Sequence, residues 1–179
     1  MKVVILAGGE GTRIRPLTKN LHKAMLPLLN RPLMEFILDY LRGEGITEVI
    51  FALSYRPQDV SDYFGDGHKF GLKISYVLET TPLGTAGAVK NASHYFDDQP
   101  FCVLNGDIFY RIKLRLMLEK HVQNKAAASI ALTRVEDPRA YGLVKTNGED
   151  RVLEFLEKPS GHGIESGMIN AGIYIISPQ

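Results

Sequence analysis

The fold is decided by a short stretch near the start of the chain, which reads Val3-Val4-Ile5-Leu6-Ala7-Gly8-Gly9-Glu10-Gly11-Thr12-Arg13. Its first residues are an unbroken apolar run rich in β-branched side chains, which is typical of a strand buried on both faces. The glycines that follow let the backbone turn so that successive N–H groups point at an anion. Positive charge is concentrated just beyond them, at Arg13, Arg15, Lys19 and Lys23. The stretch therefore predicts a strand that ends in a loop for a polyphosphate.

Neither of the two common glycine-rich phosphate loops fits this stretch. A Walker loop requires Gly-x-x-x-x-Gly-Lys-Ser/Thr, which the stretch does not contain. A dinucleotide-binding fingerprint counted from Gly9 and Gly11 requires a third glycine where Ile14 stands. Pro16 and the polar residues after it also argue against a helix that starts directly from the loop. We therefore expect a long cradle that uses side-chain charge as well as backbone N–H groups.

Strands and helices alternate along much of the chain. Apolar residues at helical spacing, flanked by Pro32 and Gly43, predict the first helix. Further strands are predicted at 49–53, 72–78 and 101–105, and further helices at 57–64 and 85–95. This order predicts an α/β, Rossmann-like fold: a mainly parallel mixed sheet with helices on both faces and ligands at the carboxyl ends of the strands. Later, two short β segments at 141–145 and 151–155 flank a polar turn and predict a hairpin.

Composition excludes several kinds of partner. The 179 residues carry 21 basic and 20 acidic side chains, a net charge of +1, so we expect no nucleic acid and no membrane as partner. The apolar runs are far shorter than the roughly 18 residues of a spanning helix, and Met1-Lys2 leads into a strand instead of a signal sequence. These features predict a cytoplasmic protein. The single cysteine, Cys102, lies in an apolar run and is expected to be a buried core thiol.

The glycine loop and its basic extension resemble the signature of a known family. The matching residues are 6–18, followed by Lys23-Ala24-Met25-Leu26-Pro27, and the family is the sugar-1-phosphate nucleotidyltransferases, most closely the mannose-1-phosphate guanylyltransferase-like branch. The resemblance implies an enzyme of glycosyltransferase-A-like nucleotidyltransferase fold that condenses a nucleoside triphosphate with a sugar 1-phosphate. Ala24 departs from the pattern, since many members carry proline there, but no charged group is lost. Nucleotide contacts are implied for Leu6, Ala7, Gly8, Gly9, Gly11, Thr12 and Arg13, and a phosphate contact for Lys23.

A second candidate site begins at Glu79, where the third predicted strand ends. Small residues at 84–87 would let a flat ring lie against a helix N-terminus, although the same residues also fit a tight turn with Thr85 as N-cap. A carboxylate only accepts hydrogen bonds, and guanine offers two adjacent donors whereas uracil or thymine offers one donor between two acceptors. Since the resemblance implies that this segment is the nucleobase loop, GTP is the expected nucleotide, and a glucose-1-phosphate thymidylyl- or uridylyltransferase is the alternative. The resemblance implies that the nucleobase loop includes Glu79, Pro82, Gly84 and Thr85.

The fourth predicted strand ends in Asn105-Gly106-Asp107, which presents a carboxylate at the sheet edge. Magnesium in nucleotide sites is typically held by one or two carboxylates together with phosphate oxygens, although the tripeptide alone is also an ordinary turn. The resemblance implies that Asp107 binds a catalytic Mg²⁺, and we assign Asn105 and Gly106 to the sugar-phosphate side of the site. The five histidines show no metal-ligand spacing, and no role is assigned to them.

The later strands supply candidates for the sugar phosphate. Without the resemblance, Glu157-Lys158 would be a surface pair of little energetic value. The resemblance implies that Glu157 and Asn170 form hydrogen bonds with sugar hydroxyls. It also implies that Gly142 beside Tyr141 leaves room for the sugar ring and that Lys158 faces the phosphate. The acceptor oxygen is already anionic near neutral pH, so the reaction needs no general base. The expected catalytic residues are Arg13, Lys23, Asp107 and Lys158.

Residues 1–179 are expected to form a single nucleotidyltransferase catalytic domain, with a nucleotide-binding part at 1–110 and a sugar-phosphate-binding part at 111–179. The resemblance also implies that this domain is incomplete, because family domains continue beyond the strand at 173–176 and take a second metal-binding aspartate from that continuation. A non-catalytic, nucleotide-sugar-binding regulatory subunit is therefore a further hypothesis. For an enzyme, the expected acceptor is mannose 1-phosphate and the products are GDP-mannose and pyrophosphate. The sequence is compatible with a homo-oligomer.

Overall fold

The computed structural model describes residues 1–81, 83–138, 141–157 and 166–178. Its strands are β1 (Val3–Leu6), β2 (Pro27–Leu28), β3 (Arg31–Pro32), β4 (Glu48–Leu53), β5 (Lys73–Leu78), β6 (Phe101–Asn105), β7 (Ala128–Val135), β8 (Gly142–Thr146), β9 (Val152–Glu157) and β10 (Gly167–Ile176). Its α-helices are α1 (Leu33–Gly43), α2 (Pro57–Phe64), α3 (Gly84–Asn91) and α4 (Leu114–Gln123). Short 3-10 turns lie at Thr12–Ile14, Lys23–Met25, His68–Phe70 and Ser93–Tyr95. The chain divides into two compact units, Met1–Ser129 with Ile175–Gln179, and Ile130–Tyr174.

Parallel strands in the spatial order β5-β4-β1-β6 build the first unit. The central strand is β1, in which Val3 pairs in register with Val49 of β4 on one side and with Cys102 of β6 on the other. Val3, Val4 and Ile5 are fully buried, as the apolar run predicts. Each such side chain contributes about 1.5–3 kcal/mol to stability on burial, so β1 is a major part of the core. The predicted α/β fold with a mainly parallel mixed sheet is confirmed.

Helix α1 forms because its apolar residues recur at helical spacing. The buried ones are Met34, Ile37, Leu38 and Leu41. Pro32 holds the N-cap position, as expected for a residue that can precede a helix but not continue one. The helix includes Gly43, and the chain turns away at Gly45, which has φ +79° and donates its N–H to the Arg42 carbonyl at 3.0 Å. The glycine that ends the helix by a left-handed turn is therefore Gly45 instead of Gly43.

Several helical details differ from the sequence expectation. The helix predicted at 85–95 is divided into α3 and the 3-10 turn Ser93–Tyr95. Thr85 is not an N-cap, because α3 already begins at Gly84 and Leu83 holds the N-cap position without a side-chain hydrogen bond. The sequence pattern also did not predict α4 or β7. Among the described residues, no helix is long and apolar enough to cross a membrane.

The second unit contains the predicted hairpin. Strands β8 and β9 pair antiparallel, with Gly142 opposite Glu157, and β8 also pairs antiparallel with β10 through Leu143 and Ile169. The turn is closed by Asn147, whose side-chain oxygen accepts the N–H groups of Glu149 at 3.0 Å and Arg151 at 2.9 Å. An asparagine that binds the backbone of its own turn explains why the chain reverses here.

Candidate functional site

A cleft of about 660 Å³ opens at the carboxyl ends of β1 and β6, inside the first unit. It brings together most of the nucleotide and metal residues that were predicted separately from two parts of the sequence. Those that line it are Leu6, Ala7, Gly9, Gly11, Thr12, Arg13, Lys23, Asn105, Gly106 and Asp107. The lining also includes residues that were not predicted, namely Glu10, Ile14, His22 and Ala24. Adjacent parallel strands place their carboxyl ends side by side, which accounts for the meeting of the two segments.

Two glycines of the cleft are required by close approach of other atoms. Gly11 has φ +65°, and a Cβ there would lie 2.9 Å from Thr18 Cγ2. A Cβ on Gly106 would lie 3.0 Å from the Leu6 carbonyl oxygen, which accepts the Gly106 N–H at 2.9 Å. The absence of side chains at these positions lets neighbouring segments approach closely and leaves the backbone of the cleft accessible.

Lys23 and Asp107 form an ion pair across the cleft, although 84 positions separate them in the chain. Both side chains are partly accessible, with 26% and 38% of their surface exposed. A pair of this accessibility contributes at most about 1 kcal/mol, so either member is free to exchange its partner for a phosphate or a cation.

The remaining cations of the loop differ in their surroundings. Arg13 lines the cleft and is exposed. Arg15 donates to Glu10 at 2.9 Å in an exposed pair, so its charge is partly compensated within the loop. Of the described residues that line the cleft, Arg13 and Lys23 are the cations, and Lys23 is paired there with Asp107.

Buried polar groups behind the loop were missed by sequence reasoning. Thr18 is fully buried, and its hydroxyl donates to the Gly11 carbonyl at 2.8 Å. His22 is 1% exposed and contacts the Ala7 carbonyl oxygen at 2.7 Å through Nε2. Burial lowers the pKa of His22, so the ring is neutral at neutral pH. The only sequence signal for His22 was its position directly before Lys23.

The predicted nucleobase segment lies beside the glycine loop. Glu79 follows β5, and its Oε2 accepts the Leu83 N–H at 3.2 Å. Its Oε1 lies 3.6 Å from the position that a Cβ on Gly8 would occupy. Gly84 and Thr85 are exposed in the first turn of α3. Pro82 lies outside the described residues.

The predicted sugar-phosphate residues of the later strands belong to the second unit. Tyr141 is half exposed directly before β8, and Gly142 begins that strand opposite Glu157, the last residue of β9. The Asn170 side chain is engaged within β10, since it donates to the Tyr174 hydroxyl and accepts the Gly172 N–H at 2.8 Å. Lys158 lies outside the described residues.

The donor atoms of the cleft determine whether it can hold a divalent cation. Within the described ranges, no group of three or more His, Cys, Asp or Glu side chains could hold a metal by itself. Mg²⁺ in nucleotide sites needs only one or two carboxylates, because substrate phosphates and water complete its octahedron. Asp107 at the edge of the cleft fits that requirement.

Comparison with known proteins identifies the family of the chain. Residues 2–179 match the family model described as nucleotidyl transferase. The chain belongs to this family. It is 42% identical over 172 residues to a mannose-1-phosphate guanylyltransferase of Mycobacterium tuberculosis, covering 96% of this chain and 47% of the relative. It is 38% identical over 177 residues to a D-glycero-alpha-D-manno-heptose 1-phosphate guanylyltransferase of Campylobacter jejuni, covering 99% of this chain and 76% of the relative.

A solved structure of the family has the same fold. The crystal structure of HddC from Yersinia pseudotuberculosis complexed with GMP-PN superposes with a TM-score of 0.84 at 31% identity, covering 98% of this chain and 76% of that one. The chain spans about half the length of several of the curated relatives that it matches.

Proposed function

We propose that this member of the nucleotidyl transferase family takes part in the synthesis of an NDP-sugar from a nucleoside triphosphate and a sugar 1-phosphate, with release of pyrophosphate. The observation that carries the proposal is the pairing of Lys23 with Asp107 across a cleft whose floor is the glycine loop. A cation for phosphate, a carboxylate for a metal and a glycine-lined backbone are the parts that phosphoryl-type transfer requires in one place.

The chemistry follows from these parts. A phosphate oxygen of the sugar 1-phosphate attacks the α-phosphorus, the bond from that phosphorus to the bridging oxygen breaks, and pyrophosphate leaves with the electron pair. The attacking oxygen is already ionised, so the chain has to supply alignment and positive charge rather than a base. Arg13 and Lys23 provide that charge from the glycine loop, and Lys158 provides it for the acceptor. Asp107 would hold Mg²⁺, which when bound neutralises phosphate charge.

We further propose that the nucleotide is GTP and that Glu79 selects it. Oε2 of Glu79 is occupied by the Leu83 N–H, which holds the carboxylate in place as an acceptor. Such a group suits the adjacent donors of guanine and has no hydrogen to offer the acceptors of uracil or thymine. In assays with GTP and UTP, Glu79→Gln should lower the preference for GTP about tenfold, because a charge-assisted hydrogen bond is replaced by a neutral one. An unchanged ratio of kcat/KM values would contradict the assignment.

The proposal also covers the acceptor, the cellular location and the oligomeric state of the protein. Mannose 1-phosphate is the proposed acceptor, and the cytoplasm is the proposed location. The near-neutral charge of the chain makes nucleic acid an unfavourable partner. Self-association into a homo-oligomer is part of the proposal and can be measured by light scattering.

The decisive experiment is a pyrophosphate-release assay with Mg²⁺. The matrix of substrates is GTP, UTP and dTTP against mannose 1-phosphate and glucose 1-phosphate. GTP with mannose 1-phosphate should be fastest. No release from any pair would contradict the enzymatic function. Tight binding of GDP-mannose without turnover would instead favour the regulatory subunit.

A further inference from the structure

The His22 side chain is enclosed between the glycine loop and the turn that carries Lys23. Its Nε2 lies 2.7 Å from the Ala7 carbonyl oxygen, and its Nδ1 lies 3.0 Å from the Ala24 backbone nitrogen. A carbonyl only accepts and an amide N–H only donates, so Nε2 carries the proton and Nδ1 accepts. The ring is therefore a neutral tautomer in which both nitrogens form hydrogen bonds. Nε2 donates to Ala7, and Nδ1 accepts from Ala24, which belongs to a different segment.

The two segments that meet at His22 are parts of the proposed phosphate site. Ala7 is the residue between β1 and the first loop glycine, and its N–H donates a hydrogen bond to the Ala52 carbonyl of β4 at 2.9 Å. Ala24 is the middle residue of the turn Lys23–Met25, and His22 is the N-cap of that turn. Because His22 directly precedes Lys23, the bond of its ring to Ala7 links the sheet end of the loop to Lys23, and the bond from Ala24 orients the ring.

The backbone of His22 is fixed separately. Its N–H donates to Asp59 Oδ2 at 2.8 Å, and Arg56 donates to both oxygens of the same carboxylate, at 2.6 and 2.9 Å. Asp59 lies in the first turn of α2. Asp59 of α2 therefore fixes the His22 backbone, while the His22 ring binds Ala7 and Ala24.

We propose that His22 is a positioning residue that sets Lys23 in register with the glycine loop, so that the lysine ammonium and the loop N–H groups meet the same triphosphate. The proposal rests on the proposed function of this cleft. A glycine-rich loop has many accessible conformations, and holding it in place before the ligand arrives removes an entropic cost from binding. Small displacements of a phosphate-binding group weaken its action strongly, so a link between the loop and Lys23 acts on substrate as well as on stability.

His121 provides a matched control for the loss of a buried histidine. It is also 1% exposed, and its two ring nitrogens lie 2.9 Å from the hydroxyl oxygens of Ser129 and Ser177. None of these three residues is among those that line the cleft. If His22 were only a buried polar group of the core, its removal and that of His121 would have the same consequences.

The test measures GTP affinity by calorimetric titration and thermal unfolding for the wild type and for His22→Ala, His22→Gln, His22→Asn and His121→Ala. Glutamine can donate to the Ala7 carbonyl but gives up the N-cap bond, whereas asparagine retains an acceptor for the Ala24 N–H but is too short to reach Ala7. His22→Ala removes both ring hydrogen bonds and should weaken GTP binding about tenfold, which is the size expected for the loss of the bond to Ala7. His22→Asn should resemble His22→Ala, His22→Gln should recover most of the affinity, and His121→Ala should bind GTP like the wild type although its unfolding temperature falls.

Several other outcomes would overturn the positioning role of His22 or the proposed function. GTP affinity that is unchanged in His22→Ala, or equally reduced in His121→Ala, overturns the positioning role. Full affinity in His22→Asn with loss in His22→Gln also overturns it, because the link to Ala7 would then be dispensable. If the wild type binds GTP but releases no pyrophosphate, the proposed function fails while the affinities still decide the role of His22. If the wild type binds none of GTP, UTP and dTTP, both proposals fail.

Discussion

Gly9 and Gly11 stand two positions apart in the glycine loop but have different surroundings. Gly11 has a left-handed backbone and would clash with Thr18, whereas a Cβ on Gly9 would meet nothing within 4 Å. Gly11→Ala should therefore lower the free energy of unfolding by about 1–2 kcal/mol, the cost of a left-handed residue with a Cβ. Gly9→Ala should change it by less than about 0.5 kcal/mol. Urea denaturation of both variants measures the difference, and equal values would contradict the strain at Gly11.

Asp107 is the carboxylate on which the proposed metal chemistry depends. Asp107→Asn keeps the size of the side chain but removes its charge, so kcat/KM for pyrophosphate release should fall about 100-fold or more. Asp97→Asn is the matched control, since Asp97 forms an exposed pair with Lys2 at 2.9 Å. That variant should retain activity within about twofold. An Asp107→Asn enzyme as active as the control, over a range of Mg²⁺ concentrations, would remove Asp107 from the site.

At the scale of elements, α1 is held mainly by its buried face. Leu41 is 0% exposed, whereas Leu116 of α4 is 54% exposed. Leu41→Ala should cost about 2–5 kcal/mol because it removes transfer energy and leaves a cavity. Leu116→Ala should cost less than about 0.5 kcal/mol. Thermal and urea unfolding of the two variants give the comparison, and similar losses would show that α1 is less tightly packed than the structure indicates.

The same contrast explains which elements could be predicted from the sequence. The strands of the parallel sheet are continuous apolar runs, and α1 has a regular buried stripe, so both are visible as patterns. In α4 the residues that are buried are only Leu114 and His121, which is too weak a pattern to indicate a helix. The 3-10 turns are fixed by local hydrogen bonds instead of by hydropathy, and the extent of α3 was therefore misjudged.

The site was predictable where its residues follow a strand. The glycine loop follows β1 and Asp107 follows β6, and their meeting needs only the parallel order of the sheet. The contact of His22 with Ala7 was not predictable, because it joins a side chain to a backbone carbonyl 15 positions away. Hydropathy carries no information on such a contact. The roles assigned to the site residues, including Glu157 and Lys158, and the division of the chain near residue 110 stay predictions.

On the scale of the whole molecule, acid should destabilise the fold through its buried histidines. Burial lowers the pKa of both His22 and His121, so the unfolded chain takes up these protons at a higher pH than the folded chain. The charged groups that face His22, Asp59 and Arg56, act on its pKa in opposite directions. At a pH well above about 6.5, the ordinary pKa of histidine, these two residues do not change the free energy of unfolding with pH. As the pH drops through about 6.5, the free energy of unfolding should fall.

Urea unfolding at a series of pH values between about 7.5 and 5 measures this effect. His121→Gln should remove one of the two contributions and make the decline shallower. A stability that rises on acidification over this range would show that the folded state holds these histidines protonated, contrary to their burial.

The strand order β5-β4-β1-β6 determines where the cleft lies in the fold. After β1 the chain adds β4 and then β5 on one side, and it next returns to place β6 on the other side of β1. The direction of winding reverses between β1 and β6, and in open α/β sheets a crevice forms outside the strands at such a reversal. The location of the cleft is thus a property of the winding and not of the side chains that line it. Under the proposed function, exchange of lining residues should alter which base or sugar is accepted while the place of reaction stays the same.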